Sequence, residues 1–474
     1  MKIFKKISAL LATLFLSLIS KPVFAQGHEL AINGADLSLW WVLPFVGLLL
    51  SIAVWPLANE EFWDHHFGKI TAIWAVSLVL PLLIFTGFET TLYEILHVYL
   101  GEYIPFIVLL FALFVISGGI RITGSLRGTP AINTLMLIIG TLLSSWMGTT
   151  GAAMLMIRPM LRANEKRENK KHMVIFFIFL VCNVGGSLTP IGDPPLFLGF
   201  LHGIDFFWTT THLFFEMFFV IVILIALYYG LDSYLFSKED WSVDESEKEP
   251  LGIEGPFNFI LLAGVVGFVI FSGVAEFGTV EIYHIPIPIQ DIIRDLGLLV
   301  LSWISWHYTS LESRKANGFT WFPIKEVGYL FAGIFVTILT PISMLEAAQE
   351  GAGALAFIHD GLFNAAGKPI DAMFFWITGM LSAFLDNAPT YLIFFNAAGG
   401  HAQELMTTFA DTLIAISSGA VFFGAITYIG NAPNFMVKSI AEEAGVDMPS
   451  FGGYMVWSVG ILIPIYLLVT WIFL

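Results

Sequence analysis

TPIGDPPLF, residues 189–197, and TYIGNAPNF, residues 427–435, decide how this chain is read. Thr189/Thr427, Ile191/Ile429, Gly192/Gly430, Pro195/Pro433 and Phe197/Phe435 recur at matching offsets, and Asp193 of the first copy stands opposite Asn431 of the second. Each copy interrupts an apolar stretch long enough to cross a bilayer, which takes about 20 residues. Gly and Pro in mid-span release backbone carbonyls and amides from the helix. In hydrocarbon such groups are tolerated only where they are buried in protein or line a wet cavity. A packing kink explains one such motif. Two matching motifs are better explained as a site, because each follows a second broken stretch, SSWMGTTGAAMLM at 144–156 and SAFLDNAPTYLIF at 382–394.

The composition around these motifs is that of a membrane protein. Hydrophobic residues make up 57% of the chain and charged residues 12%, against about 25% charged in a soluble domain. Mean hydropathy is +0.82. A single cysteine, Cys182, excludes an internal disulfide framework and any multi-cysteine metal centre. The net charge of −16 argues against a nucleic-acid partner. Much of that charge lies in KEDWSVDESEKEPLGIE, 238–254, read as part of an acidic cytoplasmic linker, 236–256, between two halves. Residues 1–25 read as a signal peptide: Lys2, Lys5 and Lys6, an apolar core over 7–19, and a small-residue cleavage site at Val23-Phe24-Ala25. The mature N-terminus is then periplasmic, and the protein sits in a bacterial inner membrane.

Spans are expected at 39–58, 70–88, 104–120, 212–235, 257–275, 290–308, 327–345 and 452–474. Broken segments at 130–161 and 371–399 are read as re-entrant hairpins, and 172–200 and 411–437 as interrupted helices. In that arrangement Lys69, Arg121, Arg127, the basic cluster from Arg158 to Lys171, Lys238, Lys248, Arg314, Lys315, Lys325 and Lys438 share the cytoplasmic side. Beyond the signal segment, Arg294 and Lys368 are left for the other side. This is the bias that membrane proteins follow. A full crossing at 130–161 would instead put RANEKRENKK, 162–171, outside. The expected fold class is therefore all-α polytopic, with two inverted-topology repeats over 26–235 and 257–474, each holding a re-entrant hairpin and a discontinuous helix.

Inverted repeats bring half-helices together near the bilayer midplane. Backbone carbonyls, Thr and Asn oxygens and one or two carboxylates suit a hard cation such as Na+. Asp193 and Asp386 carry the sharpest expectation, because a carboxylate at membrane depth is costly and usually serves an ion or proton path. Capping of the following half-helix is the plainer role. A proton and a Na+ ion would compete for such a carboxylate, which is the simplest antiport mechanism. Thr149, Thr150, Thr189, Asn183, Asn387, Thr390, Thr427, Asn431 and Asn434 are candidate ligands, although helix–helix hydrogen bonding explains them nearly as well. Gly192, Pro194, Pro195, Gly430 and Pro433 are candidate hinges. Asp295 and Glu216 lie in spans outside the repeat core, Asp295 beside Arg294. His28, His65 and His66 are read as solvated loop residues. No cofactor is expected; Na+ is the transported or coupling ion.

Through NVGGSLTPIGDPPLFLG (183–199) and LDNAPTYLIFF (385–395), the chain resembles the ion-transporter superfamily. That group holds NhaD-type sodium/proton antiporters, arsenite permeases and citrate or dicarboxylate carriers. The resemblance covers nearly all of the mature chain and is nearest to the NhaD-like and citrate-transport branch. It implies a scaffold domain, a mobile transport domain with two hairpins and two unwound helices, and often a homodimer. Dicarboxylate carriers of the group have Ser-Asn-Thr at the hairpin tips. Here the tips read GTT and DNAPT, and the acidic core resembles the antiporter branch.

The leading expectation is exchange of Na+ or Li+ for H+. The alternative is Na+- or H+-coupled symport of citrate or a dicarboxylate, with arsenite export third. The partners are then the lipid bilayer and a small inorganic cation or organic anion. An enzyme is disfavoured: the GxGD motif of intramembrane aspartyl proteases is missing around Asp193 and Asp386, and no HExxH or nucleophile elbow occurs.

Overall fold

A computed structural model describes residues 31–124, 126–239 and 250–474. The expected signal peptide, His28 and the most acidic part of the linker, 240–249, lie outside the described residues. The main helices are α1 (Leu39–Ala58), α2 (Glu60–Thr86), α3 (Phe88–Ser117), α4 (Pro130–Met147), α5 (Thr149–Ala163), α6 (Lys171–Leu180), α7 (Pro194–Leu201), α8 (Trp208–Phe236) and α9 (Phe257–Val274). They continue with α10 (Ile289–Tyr308), α11 (Phe322–Thr337), α12 (Leu339–Gln349), α13 (Asp371–Leu385), α14 (Asn387–Ala397), α15 (Ala410–Phe423), α16 (Ala432–Glu443) and α17 (Phe451–Phe473). Among the described residues seven helices are long and apolar enough to cross a membrane, or eight if the pair α11–α12, bent by 41°, counts as one span. Large apolar side chains such as Ile84, Phe215, Val274, Val456 and Trp471 are exposed on these helices. In water such faces would be liabilities. On a multi-pass membrane protein they meet lipid.

Several spans differ from the sequence expectation. The stretch 327–345 is split at Ile338 by the 41° bend. Helix α10, expected to span at 290–308, carries Asp291, Arg294 and Asp295 and is not among the seven. Two others begin earlier than expected. Helix α2 begins at Glu60, not near residue 70, because Asn59 caps it, its side chain accepting from Phe62 N at 3.0 Å, and Glu60 and Glu61 fill the first turn. Lys69, His65 and His66 therefore ride on a helix rather than a loop. Helix α3 starts at Phe88 and passes through a π-helical turn, Tyr99–Tyr103, where the sequence reading began the span at 104. Residues 88–103 look like a polar connection, yet Leu92, Ile95, Tyr99 and Tyr103 fall on one face. Tyr99 and Tyr103 dock that face on α11 by donating to the carbonyls of Ala332 and Gly328, each at 2.9 Å.

The chain turns or breaks locally at four places within the stretches read as hairpins and interrupted helices. Helix α4 turns into α5 at Gly148 (φ +79°, ψ 148°), and α13 turns into α14 at Asp386 (φ +76°, ψ 144°). Helix α6 ends at Leu180, a short 3-10 turn follows at Val184–Gly186, and α7 restarts at Pro194-Pro195. Helix α15 ends at Phe423, a 3-10 turn follows at Gly424–Ile426, and α16 restarts at Ala432-Pro433. Proline in the first turn costs nothing there, since its missing N–H would be unpaired anyway. Glycine at 192 and 430 allows the tight loop: a Cβ at Gly192 would strike the Gly186 carbonyl, and one at Gly430 would lie 2.6 Å from the Gly424 carbonyl.

Packing is reciprocal. Helix α14 lies on α7, and α16 lies on α5. Helix α6 and the stretch 412–423 of α15 are apolar and largely buried all round, as central helices are. At one end of the molecule the basic loop after α5 is not simply solvated. Arg167 is buried between Asp232 (2.8 Å) and Glu239 (2.7 Å), and His172, Asn133 and Tyr228 also bond to Asp232. Nearby, Arg121–Thr123 pairs antiparallel with Gly252–Glu254. A second ribbon, Thr279–Ile282 with Ile285–Pro288, packs on the start of α3 and of α10.

Candidate ion and substrate site

The two hairpins and two interruptions meet at one carboxylate. Asp193, extended at φ −142° and ψ 142°, is the residue from which α7 starts. Its Oδ1 accepts from the Thr149 hydroxyl and from Asn431 Nδ2, each at 3.0 Å. Its Oδ2 accepts from Asn387 Nδ2 at 2.5 Å. Thr149 is the first residue of α5, Asn387 the first of α14, and Asn431 the residue before α16. Four helix N-termini thus converge on Asp193, which is 1% exposed. Their dipoles point positive potential at it, although α7 opens on two prolines without N–H groups, and the amides of Thr149, Leu196 and Asn434 are already bonded to the carbonyls of Gly192, Asp193 and Asn431.

Asp386 holds the second hairpin tip and sits next to this cluster. Its Oδ1 accepts weakly, at 3.3 Å, from Ala388 N, capping α14. Thr390 donates to the Asp386 carbonyl at 2.7 Å. Asn387 Oδ1 is buried, and no donor among the described residues reaches it. An oxygen so placed is an acceptor for a cation or a ligand hydroxyl. Thr150 is half-buried one residue beyond Thr149.

The remaining sequence candidates brace the broken backbone. Asn183 donates to Asn434 Oδ1 (2.8 Å), tying one interruption to the other. Asn434 in turn donates to the carbonyls of Gly424 (2.7 Å) and Thr427 (2.9 Å). Asn431 also donates to the Cys182 carbonyl at 3.0 Å. Thr189 donates to the Ser145 carbonyl and Thr427 to the Ala383 carbonyl, each across 44 residues. Asp295 lies away from this cluster and accepts from Arg294 Nε at 2.8 Å, as its neighbour in sequence suggested.

Residues 34–474 match the model of a family described as "Putative citrate transport". The chain belongs to that family. A comparison with curated proteins gave no match. For a citrate-transport family member, the reading of an acidic, amide-lined core omitted three serines. Ser144 donates to the Val181 carbonyl (2.7 Å), Ser145 to Gly185 (2.5 Å) and Ser382 to Ala420 (2.6 Å). They bridge each hairpin to the interrupted helix beside it. The signal was present, since Ser144 and Ser382 open the two stretches quoted above, but serine alone carries no period to single it out.

Proposed function

We propose that this protein is a secondary active transporter carrying a small carboxylate of the citrate type together with H+ or Na+, with Asp193 and Asp386 as the coupling groups. The observation that carries this reading is the convergence of four helix N-termini on Asp193. Helix N-termini are natural anion sites. Their dipoles bring positive charge, and two ionised aspartates offset it. A carboxylate entering the occupied cluster would add uncompensated charge in a low-dielectric site. It enters readily only when a proton or Na+ neutralises an aspartate, and that requirement is the coupling. Thr149, Thr150, Asn387 and Thr390 are then ligands at the hairpin tips. Thr189, Asn183, Thr427, Asn431 and Asn434 hold the unwound segments, and Gly192, Pro194, Pro195, Gly430 and Pro433 shape them. The family description points the same way.

We take the chain as two inverted repeats, 26–235 and 257–474, in a bacterial inner membrane, with the first hairpin opening to the cytoplasm and the second to the periplasm. The paired Thr–carbonyl bonds across 44 residues support the repeat, and so do the matching angles at Gly148 and Asp386. Exchange of Na+ or Li+ for H+ is the second reading. Two aspartates near one another and the lack of a Ser-Asn-Thr tip favour it. Proteoliposomes separate the two. Accumulation of labelled citrate that needs an imposed Na+ or pH gradient supports symport. Proton movement on adding Na+ or Li+ without citrate, and no citrate uptake, would replace it with antiport.

A further inference from the structure

Helix α8 carries two buried carboxylates on its inward stripe, which runs through Leu213, Glu216, Val220, Leu224, Tyr228 and Asp232. They are treated in opposite ways. Asp232 has the partners of a structural carboxylate: Arg167 at 2.8 Å, His172 at 2.9 Å, Asn133 at 3.1 Å and the Tyr228 hydroxyl at 3.2 Å. Glu216 is 2% exposed, and no Lys, Arg or His among the described residues pairs with it. Its Oε2 is buried without a hydrogen-bond partner. Ionised carboxylates are not kept in that state without a cation or donors.

Helix α15 packs against α8. The Ser418 hydroxyl already donates to the Ile414 carbonyl at 2.7 Å, so it has a lone pair to offer and no second proton. Few titratable groups are near among the described residues: on α8 itself His212, one turn earlier, is exposed and bonds to the Trp208 carbonyl at 2.8 Å. Helix α4 has no ionisable side chain, α17 has only Tyr454 and Tyr466, and Lys171 and His172 of α6 lie at the Asp232 end. On α15 the titratable side chain is Asp411, exposed at the start of the helix. Beside it, Asp371 accepts from Thr412 at 2.6 Å.

We infer that Glu216 is a proton-binding site separate from the Asp193 cluster. Loading forms an O–H bond at the Glu216 carboxyl and breaks one in the water or carboxyl that delivers the proton. Its position links it to the proposed carrier cycle, on which this role rests. Thr209 and Thr210, at the start of α8, both donate to the Leu188 carbonyl in the first interruption. Ser418 lies on the helix that runs into the second.

Infrared difference spectroscopy of the purified full chain, between acid and alkaline pH, tests the proton directly. The wild type is expected to show a protonated-carboxyl carbonyl band that shifts in D2O, moves on 13C-glutamate labelling, and is lost in E216Q. E216D is expected to retain a displaced band. The labelled wild type needs no variant to fold, and absence of a glutamate-derived band there overturns the proposal. So does a band unchanged in E216Q. In proteoliposomes E216Q is expected to lose citrate accumulation driven by a pH gradient, with E216D restoring part of it. Wild-type vesicles that move no citrate would remove the symport reading and leave the infrared result standing on its own.

Discussion

Asp386 occupies backbone angles, φ +76° and ψ 144°, close to a region that almost only glycine enters. The matching tip of the first hairpin is Gly148, at nearly the same angles. A non-glycine residue held there costs on the order of 1–3 kcal/mol, and the carboxylate is the plausible reason to keep it. D386G should relieve that strain, less roughly 0.5–1 kcal/mol for the freedom glycine gains in the unfolded chain. The expected outcome is a purified D386G protein that melts at or above wild type and transports nothing. D386N keeps the strain and should melt no higher than wild type. Asp193 differs because both its oxygens are engaged by three side-chain donors. D193N turns one acceptor into a donor facing donors, at about 1–3 kcal/mol for each group left unpaired. Thermal unfolding should rank D193N below D386N, and equal melting would show that the donors do not depend on the charge. The sequence made both aspartates conspicuous through the cost of charge in a membrane. It could not show their different backbones, since Asp386 aligns with a glycine only once the hairpins are matched.

The interrupted helices are stable because their freed carbonyls are claimed by specific side chains. Asn434 is the clearest case, donating to Gly424 and Thr427 while accepting from Asn183. N434L leaves those groups buried and unpaired, at about 1–3 kcal/mol each. T134V removes a hydroxyl that only back-bonds to Pro130 one turn earlier on half-buried α4, and should cost well under that. Comparable melting of the two variants would mean that water, not Asn434, satisfies the loop. At this scale the interruptions and hairpins were legible, because Gly-Pro punctuation recurs twice in apolar surroundings. The N-terminal half of α3 was not. Its polar residues hid a one-sided apolar face, and the π turn at Tyr99–Tyr103 shifts the register in a way that no fixed period reveals.

Reciprocal packing, α14 on α7 and α16 on α5, is the feature of the whole molecule that local sequence could least supply. It joins segments far apart in the chain, 194 residues between Asn387 and Asp193, and the repeat gave only the hint that matching parts should meet. Charge bias supplied the orientation, which the helices alone do not fix. If the hairpins open to opposite sides, the loop after α5 and the segment between α12 and α13 must face opposite solutions. Glu168 is exposed in the first, and Gly361 is exposed in the second with open space where a Cβ would go. Cys182 is buried and can be replaced by Ala to leave a cysteine-free background. An impermeant maleimide added to intact cells should then label G361C and spare E168C until the membrane is opened. The reverse pattern would keep the inverted repeat and turn the molecule over. Equal labelling of both from outside would remove the inversion itself, because two hairpins opening to one solution cannot offer half-channels to both sides of the membrane.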